Sequence, residues 1–279
     1  MIAEHAGFCF GVKRAVKMAF DAVGSGAKKV HTLGPLIHNP QVVSRLAEAG
    51  AKKVDTLSEI NEGIVILRSH GVSSPQVIID AEAAGLTAID ATCPFVTNAQ
   101  RFARQLVDEG YQVVMVGDRH HPETLSVVGH AGREILVTED FAEIKKWLNR
   151  FPKKRVGIIS QTTQTFKQFS DIVVQCLQIC EEVKVFNTIC YATEERQDAA
   201  KKIAVDVQTM VVIGGRNSAN TNHLADICRE EGIPVHHVET ADELEEEWFI
   251  GIKKAGVTAG ASTPDWIIQG VVDRLEKIT

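Results

Sequence analysis

Three of the chain's six cysteines share a local setting. Gly7-Phe-Cys9-Phe-Gly-Val12, Ala91-Thr-Cys93-Pro-Phe-Val96 and Thr188-Ile-Cys190-Tyr-Ala-Thr193 each place a cysteine just ahead of an amphipathic helical pattern. A helix start offers unpaired N–H groups and a partial positive charge, which favour thiolate over thiol. Three such thiolates suit one 4Fe–4S cluster with an iron that no side chain covers, and an open iron implies chemistry at the metal, because electron-carrying clusters normally take four cysteines. A three-cysteine zinc site with an open position fits the same residue types. Cys176, Cys180 and Cys228 fall instead on apolar helical stripes and read as core packing.

Six polar loops accompany the cysteines. They are His38-Asn39-Pro40, Ser69-His70-Gly71, His120-His121-Pro122-Glu123, Ser160-Gln161-Thr162-Thr163, Asn217-Ser218-Ala219-Asn220 and Ala261-Ser262-Thr263-Pro264. Taken singly, each is ordinary helix capping. Taken together, short hydroxyl, amide and imidazole donors at helix starts make an anion site fit for a phosphate or diphosphate. No glycine-rich dinucleotide fingerprint or P-loop occurs, so a nucleotide cofactor is not indicated. Glu123 is the one carboxylate in these loops. Beside His121 it could act as a general acid, although a first-turn carboxylate is also a common helix-dipole partner.

The elements that must carry these residues alternate from end to end. Apolar runs at 64–67, 111–116, 155–159, 209–213 and 256–258 alternate with amphipathic stretches at 95–109, 166–181, 194–206 and 264–277. That alternation predicts mainly parallel sheets covered by helices, with ligands at the carboxyl ends of the strands. The cysteine segments recur at separations of 84 and 97 residues. The spacing reads as three related α/β lobes whose cysteines converge on a common centre.

Composition narrows the function. With 44% apolar and 24% charged residues the chain is globular, and a net charge of -6 argues against nucleic-acid binding. Basic groups at Lys145-Lys146, Lys153-Lys154-Arg155 and Lys201-Lys202 read as solvated surface. The first residues lack the charge and hydropathy pattern of a targeting segment, and no apolar run reaches membrane-spanning length. The expectation is a cytoplasmic protein whose cysteines serve as ligands or core rather than disulfides.

These motifs, in this order from Gly7-Phe-Cys9 to Ser262-Thr-Pro-Asp265, closely resemble the LytB-type 4-hydroxy-3-methylbut-2-enyl diphosphate reductases. The resemblance implies three α/β lobes around a central 4Fe–4S cluster. The lobes would be residues 1–95 with 262–279, then 96–188, then 189–261, the C-terminal segment returning to the first. It implies cluster ligation by Cys9, Cys93 and Cys190. Diphosphate contacts would come from His38, His70, His121, Ser218, Asn220 and Ser262, with Thr163 also at the substrate. Glu123, Thr162 and His121 would form the catalytic group, Glu123 and Thr162 facing the hydroxymethyl end. The implied reaction is loss of the allylic hydroxyl as water, giving isopentenyl or dimethylallyl diphosphate as the last step of the methylerythritol phosphate route. Its electrons would come from a ferredoxin or flavodoxin. Two departures stand out: Ala219 where the family often has serine, and Thr124-Leu125-Ser126 in place of the usual Val-x-Gly. The rival enzyme reading is a zinc-dependent hydrolase of a phosphorylated small molecule. A cluster-bearing sensor would need an output element, and no basic helix-turn-helix is present.

Overall fold

The structure, a computed structural model, describes residues 1–26, 29–152 and 154–278; Lys153 of the basic triplet lies outside them. The chain runs α1 (Phe10–Gly24), β1 (Val30–Leu33), α2 (Pro40–Ala49), β2 (Ala51–Val54), β3 (Ile64–Leu67), α3 (Gln76–Ala83) and β4 (Thr87–Asp90). It continues as α4 (Pro94–Asp108), β5 (Gln112–Val116), α5 (Pro122–Ala131), β6 (Leu136–Val137), α6 (Phe141–Leu148), β7 (Arg155–Ser160), α7 (Phe166–Leu177) and β8 (Glu182–Val185). Last come α8 (Tyr191–Ala204), β9 (Thr209–Ile213), α9 (Ala219–Glu230), β10 (Val235–Val238), β11 (Ala255–Ala259) and α10 (Asp265–Ile278).

Three sheets result, ordered β2-β1-β3-β4, β6-β5-β7-β8 and β10-β9-β11, with every pairing parallel. In the first two sheets the fourth strand ends close before a cysteine. The third sheet completes the same plan with the N-terminal segment. Ile2 bridges Val257 in parallel, and the N–H groups of Ala3, Gly7 and Cys9 donate to Val257 (2.8 Å), Ala259 (3.4 Å) and Ala261 (3.1 Å). The repeat read from the cysteines is therefore cyclic in the chain.

The alternating residues of the central strands explain why the second and third sheets are covered on both faces. In the second sheet Val113, Met115 and Ile159 pack under Ala99, Ala103 and Leu106 of α4 and Val127 of α5. On the opposite face Val114, Val116 and Ile158 meet Ile144 and Leu148 of α6 and Phe169 and Ile172 of α7. In the third sheet Met210 and Val212 lie against α8 and α9, while Val211 and Ile213 lie against α10.

By contact the chain divides into two compact units. One comprises Met1–Lys13, Ile37–Arg45 and Tyr191–Thr279; the other comprises Arg14–Leu36 and Leu46–Cys190. The first two sheets thus share a unit, because α5 packs directly on the loop after β3. The segment expected to return to the first lobe, residues 262–279, carries α10. Ile267, Ile268 and Val271 of α10 bury against Val211, Val257 and Ala259, so the C-terminal helix belongs to the third sheet's core.

Candidate active site

The three loop cysteines are placed by one repeated device. The Cys93 N–H donates to the Ser69 carbonyl (2.9 Å), the Cys190 N–H to Thr162 (2.9 Å), and the Cys9 N–H to Ala261. Each bond lies just past the end of a parallel strand pair, and each acceptor is a site residue or precedes one. Cys93 is the N-cap of α4, Cys190 immediately precedes α8, and the Cys9 Sγ accepts the N–H of Val12 at 3.4 Å in the first turn of α1. All three are half-buried, and no disulfide joins the six cysteines. Cys176 and Cys228 are sealed among apolar side chains, and burial pushes each thiol up to about 12. Cys180 packs partly on the same core as Cys176. The chemistry of the donor set therefore separates three loop thiols, fit to hold a metal, from three structural ones.

Within the unit that carries the first two sheets, His70 and His121 meet edge-on with ring centroids 5.5 Å apart. His70 sits in a loop fixed by bonds from the Ser69 N–H and Oγ to the Leu36 carbonyl (3.1 and 3.0 Å). His121 caps α5, its Nδ1 accepting the Glu123 N–H at 3.1 Å, with Pro122 in the first helical position. Glu123 follows and is 2% exposed. Its carboxylate accepts the Thr162 N–H and hydroxyl, both at 2.7 Å. Burial lifts its carboxyl above the usual range, and the two bonds from Thr162 pull the other way without cancelling that lift. Thr162 thus links Glu123 through its N–H and hydroxyl to Cys190 through its carbonyl. Behind it, Thr188 and Ser160 are joined backbone to side chain in both directions (2.8 and 2.6 Å), which holds the Cys190 loop to β7. Thr163 is the next residue of the Thr162 loop, half-buried.

In the unit that carries the third sheet, the His38 carbonyl accepts the Ser262 Oγ at 3.0 Å. A side chain at Gly215 would come within 2.7 Å of that carbonyl, so glycine is what lets the two loops meet. Ser218 caps α9 through the Thr221 N–H, and Asn220 lies two residues on, 3% exposed. Neither the carboxamide nitrogen nor the oxygen of Asn220 bonds to a described residue. A buried amide without a protein partner is costly unless a ligand or water completes it.

Two placements escaped the sequence reading. Arg196, buried inside α8, donates to the Gly7 carbonyl (2.7 Å) and to Ala192, holding the segment that carries Cys9. In sequence it falls among polar helix residues with nothing to mark it. Gln161 was visible only as part of a loop. Its Oε1 accepts the Asp118 N–H at 3.1 Å, and its buried Nε2 has no partner among the described residues. Among those residues no helix is long and apolar enough to cross a membrane.

A family model described as LytB protein matches residues 1–276. A 4-hydroxy-3-methylbut-2-enyl diphosphate reductase of Geobacter sp. (strain M21) is 51% identical over 281 residues, covering 100% of this chain and 97% of its own length. One of the same name from Pelobacter propionicus is 47% identical, covering 100% and 98%. Among solved structures, (E)-4-hydroxy-3-methyl-but-2-enyl diphosphate reductase, titled the terminal enzyme of the non-mevalonate pathway, shares 46% identity. It covers 99% of this chain and 98% of its own, with a TM-score of 0.73. The Plasmodium falciparum E-1-hydroxy-2-methyl-but-2-enyl-4-diphosphate reductase shares 27% identity with a TM-score of 0.91, covering 98% of this chain and 86% of its own.

Proposed function

The chain belongs to the LytB protein family, and from that premise we propose that it reduces (E)-4-hydroxy-3-methylbut-2-enyl diphosphate to isopentenyl and dimethylallyl diphosphate. The observation that carries the reading is the buried Glu123 carboxyl, held by Thr162, which also anchors the Cys190 backbone. Cys9, Cys93 and Cys190 would hold one 4Fe–4S cluster, leaving one iron without a protein ligand. Bound there, the cluster would supply electrons one at a time and a Lewis acid that makes hydroxide a tolerable leaving group.

The chain's own residues do the rest. His38, His70, His121, Ser218, Asn220 and Ser262 take the diphosphate, with Thr163 beside Thr162 completing the contacts. The fit has an independent support, since the unpartnered amide of Asn220 is a donor waiting for an acceptor. Thr162 orients the hydroxymethyl end, and its bonds keep Glu123 in one rotamer. Glu123, whose carboxyl burial holds above the usual range, gives its proton to the departing oxygen. The allylic C–O bond breaks, the oxygen leaves as water, and two electrons with a second proton complete either alkene. The electron donor is a ferredoxin or flavodoxin, and the compartment is the cytoplasm.

The test is an anaerobic preparation assayed for iron, acid-labile sulfide, visible absorbance and turnover of the allylic diphosphate with a reduced one-electron donor. Iron and sulfide in cluster stoichiometry with turnover is the expected result, and Cys93→Ser should lose both. Stoichiometric zinc in a colourless protein would replace this reading with the zinc-dependent hydrolase.

A further inference from the structure

Behind the two histidines, three elements that bear site residues meet at one buried hydrogen bond. Gln100 lies on α4, the helix capped by Cys93. Ser126 lies on α5, three residues past Glu123. The Gln100 Nε2 donates to the Ser126 Oγ at 2.7 Å, and both side chains are buried. The third element is the loop that carries His70. Its next residue, Gly71, has φ +78, and a Cβ there would stand 2.3 Å from the Ser126 Oγ and 3.0 Å from the Gln100 Nε2. The loop therefore rests its backbone directly on the pair.

The remaining contacts of the loop leave it little freedom. On its other side, the Gly71 N–H donates to the Arg68 carbonyl (3.0 Å) and the Arg68 Nε donates to the Gly71 carbonyl (3.1 Å). One turn along α5, a Cβ at Gly129 would fall 1.6 Å from the Ser73 carbonyl, so the helix is bare where the loop leaves. Ser126 is also tied to its own helix, the His130 Nδ1 lying 2.8 Å from its carbonyl. The histidine that follows Ser69 is thus pinned between the Arg68 clasp and the Gln100–Ser126 prop, at the position where its ring meets His121.

We propose that Gln100 and Ser126 are positioning residues that set His70 against His121 by supporting Gly71, and so govern affinity for the diphosphate rather than the bond-breaking step. The proposal rests on the reading that His70 and His121 take that group. Removing one partner leaves the other buried and unsatisfied, while replacing both by apolar groups removes that penalty but not the loss of the prop.

The experiment compares wild type, Ser126→Ala, Gln100→Leu and the double variant as anaerobic holoenzymes. The readouts are KM and kcat for the allylic diphosphate, calorimetric Kd for inorganic pyrophosphate, and Tm. Each single variant should raise KM and the pyrophosphate Kd by about tenfold with kcat held within about twofold. The double variant should recover Tm and keep the weakened binding. Unchanged KM and Kd with a lowered Tm would show a merely structural pair and overturn the proposal, as would a fall in kcat at constant KM. Recovery of affinity together with Tm in the double variant would overturn it too, and that variant decides the matter if a single one fails to fold. Pyrophosphate binding without turnover in the wild type would sink the reductase reading while leaving the calorimetric comparison to judge the prop. A wild type that binds no pyrophosphate removes the site and the proposal with it.

Discussion

The helices α5 and α9 occupy the same place in the repeat, each following the first strand of its sheet, yet their first turns are furnished differently. Each starts on a polar cap, His121 or Ser218, and each buries the side chain two residues on, Glu123 or Asn220. Glu123 has both oxygens engaged by Thr162. Asn220 has neither amide atom engaged by a described residue. One position in the repeat has been given an acid that the protein itself holds, the other an amide that the protein leaves for something else. The difference teaches how a repeated frame divides labour: a side chain restrained by its own fold is suited to chemistry, and one left incomplete is suited to binding.

The sharpest way to break that contrast is Glu123→Gln. It keeps the shape and one acceptor but cannot give up an acidic proton, so kcat should fall by about a hundredfold or more while KM moves little. Steady-state kinetics on cluster-loaded protein check this, and a raised KM at normal kcat would make Glu123 a binding residue. Asn220→Ala should give the opposite split, a KM higher by roughly tenfold with kcat nearly preserved, the scale of one hydrogen bond to a charged group. The pH dependence sharpens the contrast further. The carboxyl of Glu123 is raised in the folded state, so the proton-donating form persists above the ordinary carboxylate range and turnover should fall as pH rises through the raised value. The same sign holds for stability: the native state binds this proton more tightly than the unfolded chain, so the group's contribution is full at low pH and declines as pH climbs toward the folded value. Chemical denaturation across that range should show the decline in wild type and not in Glu123→Gln, while Asn220→Ala keeps the wild-type profile. The smallest effect is expected far from either helix start. Cys228→Ala should cost about 1 kcal/mol in denaturant unfolding and leave iron content and turnover unchanged.

Much of this frame was legible in the sequence because the central strands are apolar on both faces. The runs at 64–67 and 209–213 coincide with β3 and β9, and those at 111–116 and 155–159 differ from β5 and β7 by one residue. The outer strands gave no such signal. β2 buries only its two ends around Lys52 and Lys53, β4 and β8 are partly exposed throughout, and β10 contains His236 and His237. Short edge strands are defined by pairing rather than by hydropathy. Helical spacing placed Cys176 and Cys228 in the core. Cys180, read on the same stripe as Cys176, lies past the end of α7 and is half-buried, because the helix stops at Leu177. Burial of Glu123, the incomplete amide of Asn220 and the Gln100–Ser126 contact were invisible, since each depends on which loop arrives from elsewhere in the chain. The apolar stripe of α10 likewise fixes that the helix is covered, not which sheet covers it.

The third sheet takes its outer edge from residues that pair with others far later in the chain. Ile2 must wait for Val257, and Cys9 for Ala261. At typical elongation rates that interval is roughly ten to fifty seconds. Through it, Cys93 and Cys190 can already be seated by Ser69 and Thr162, while Cys9 has no acceptor for its N–H. Closing so long a loop is also the slow part of folding for any contact of such sequence separation. A chain interrupted before Ala261 therefore leaves the Cys9 N–H without the acceptor that seats it, while Cys93 and Cys190 keep theirs.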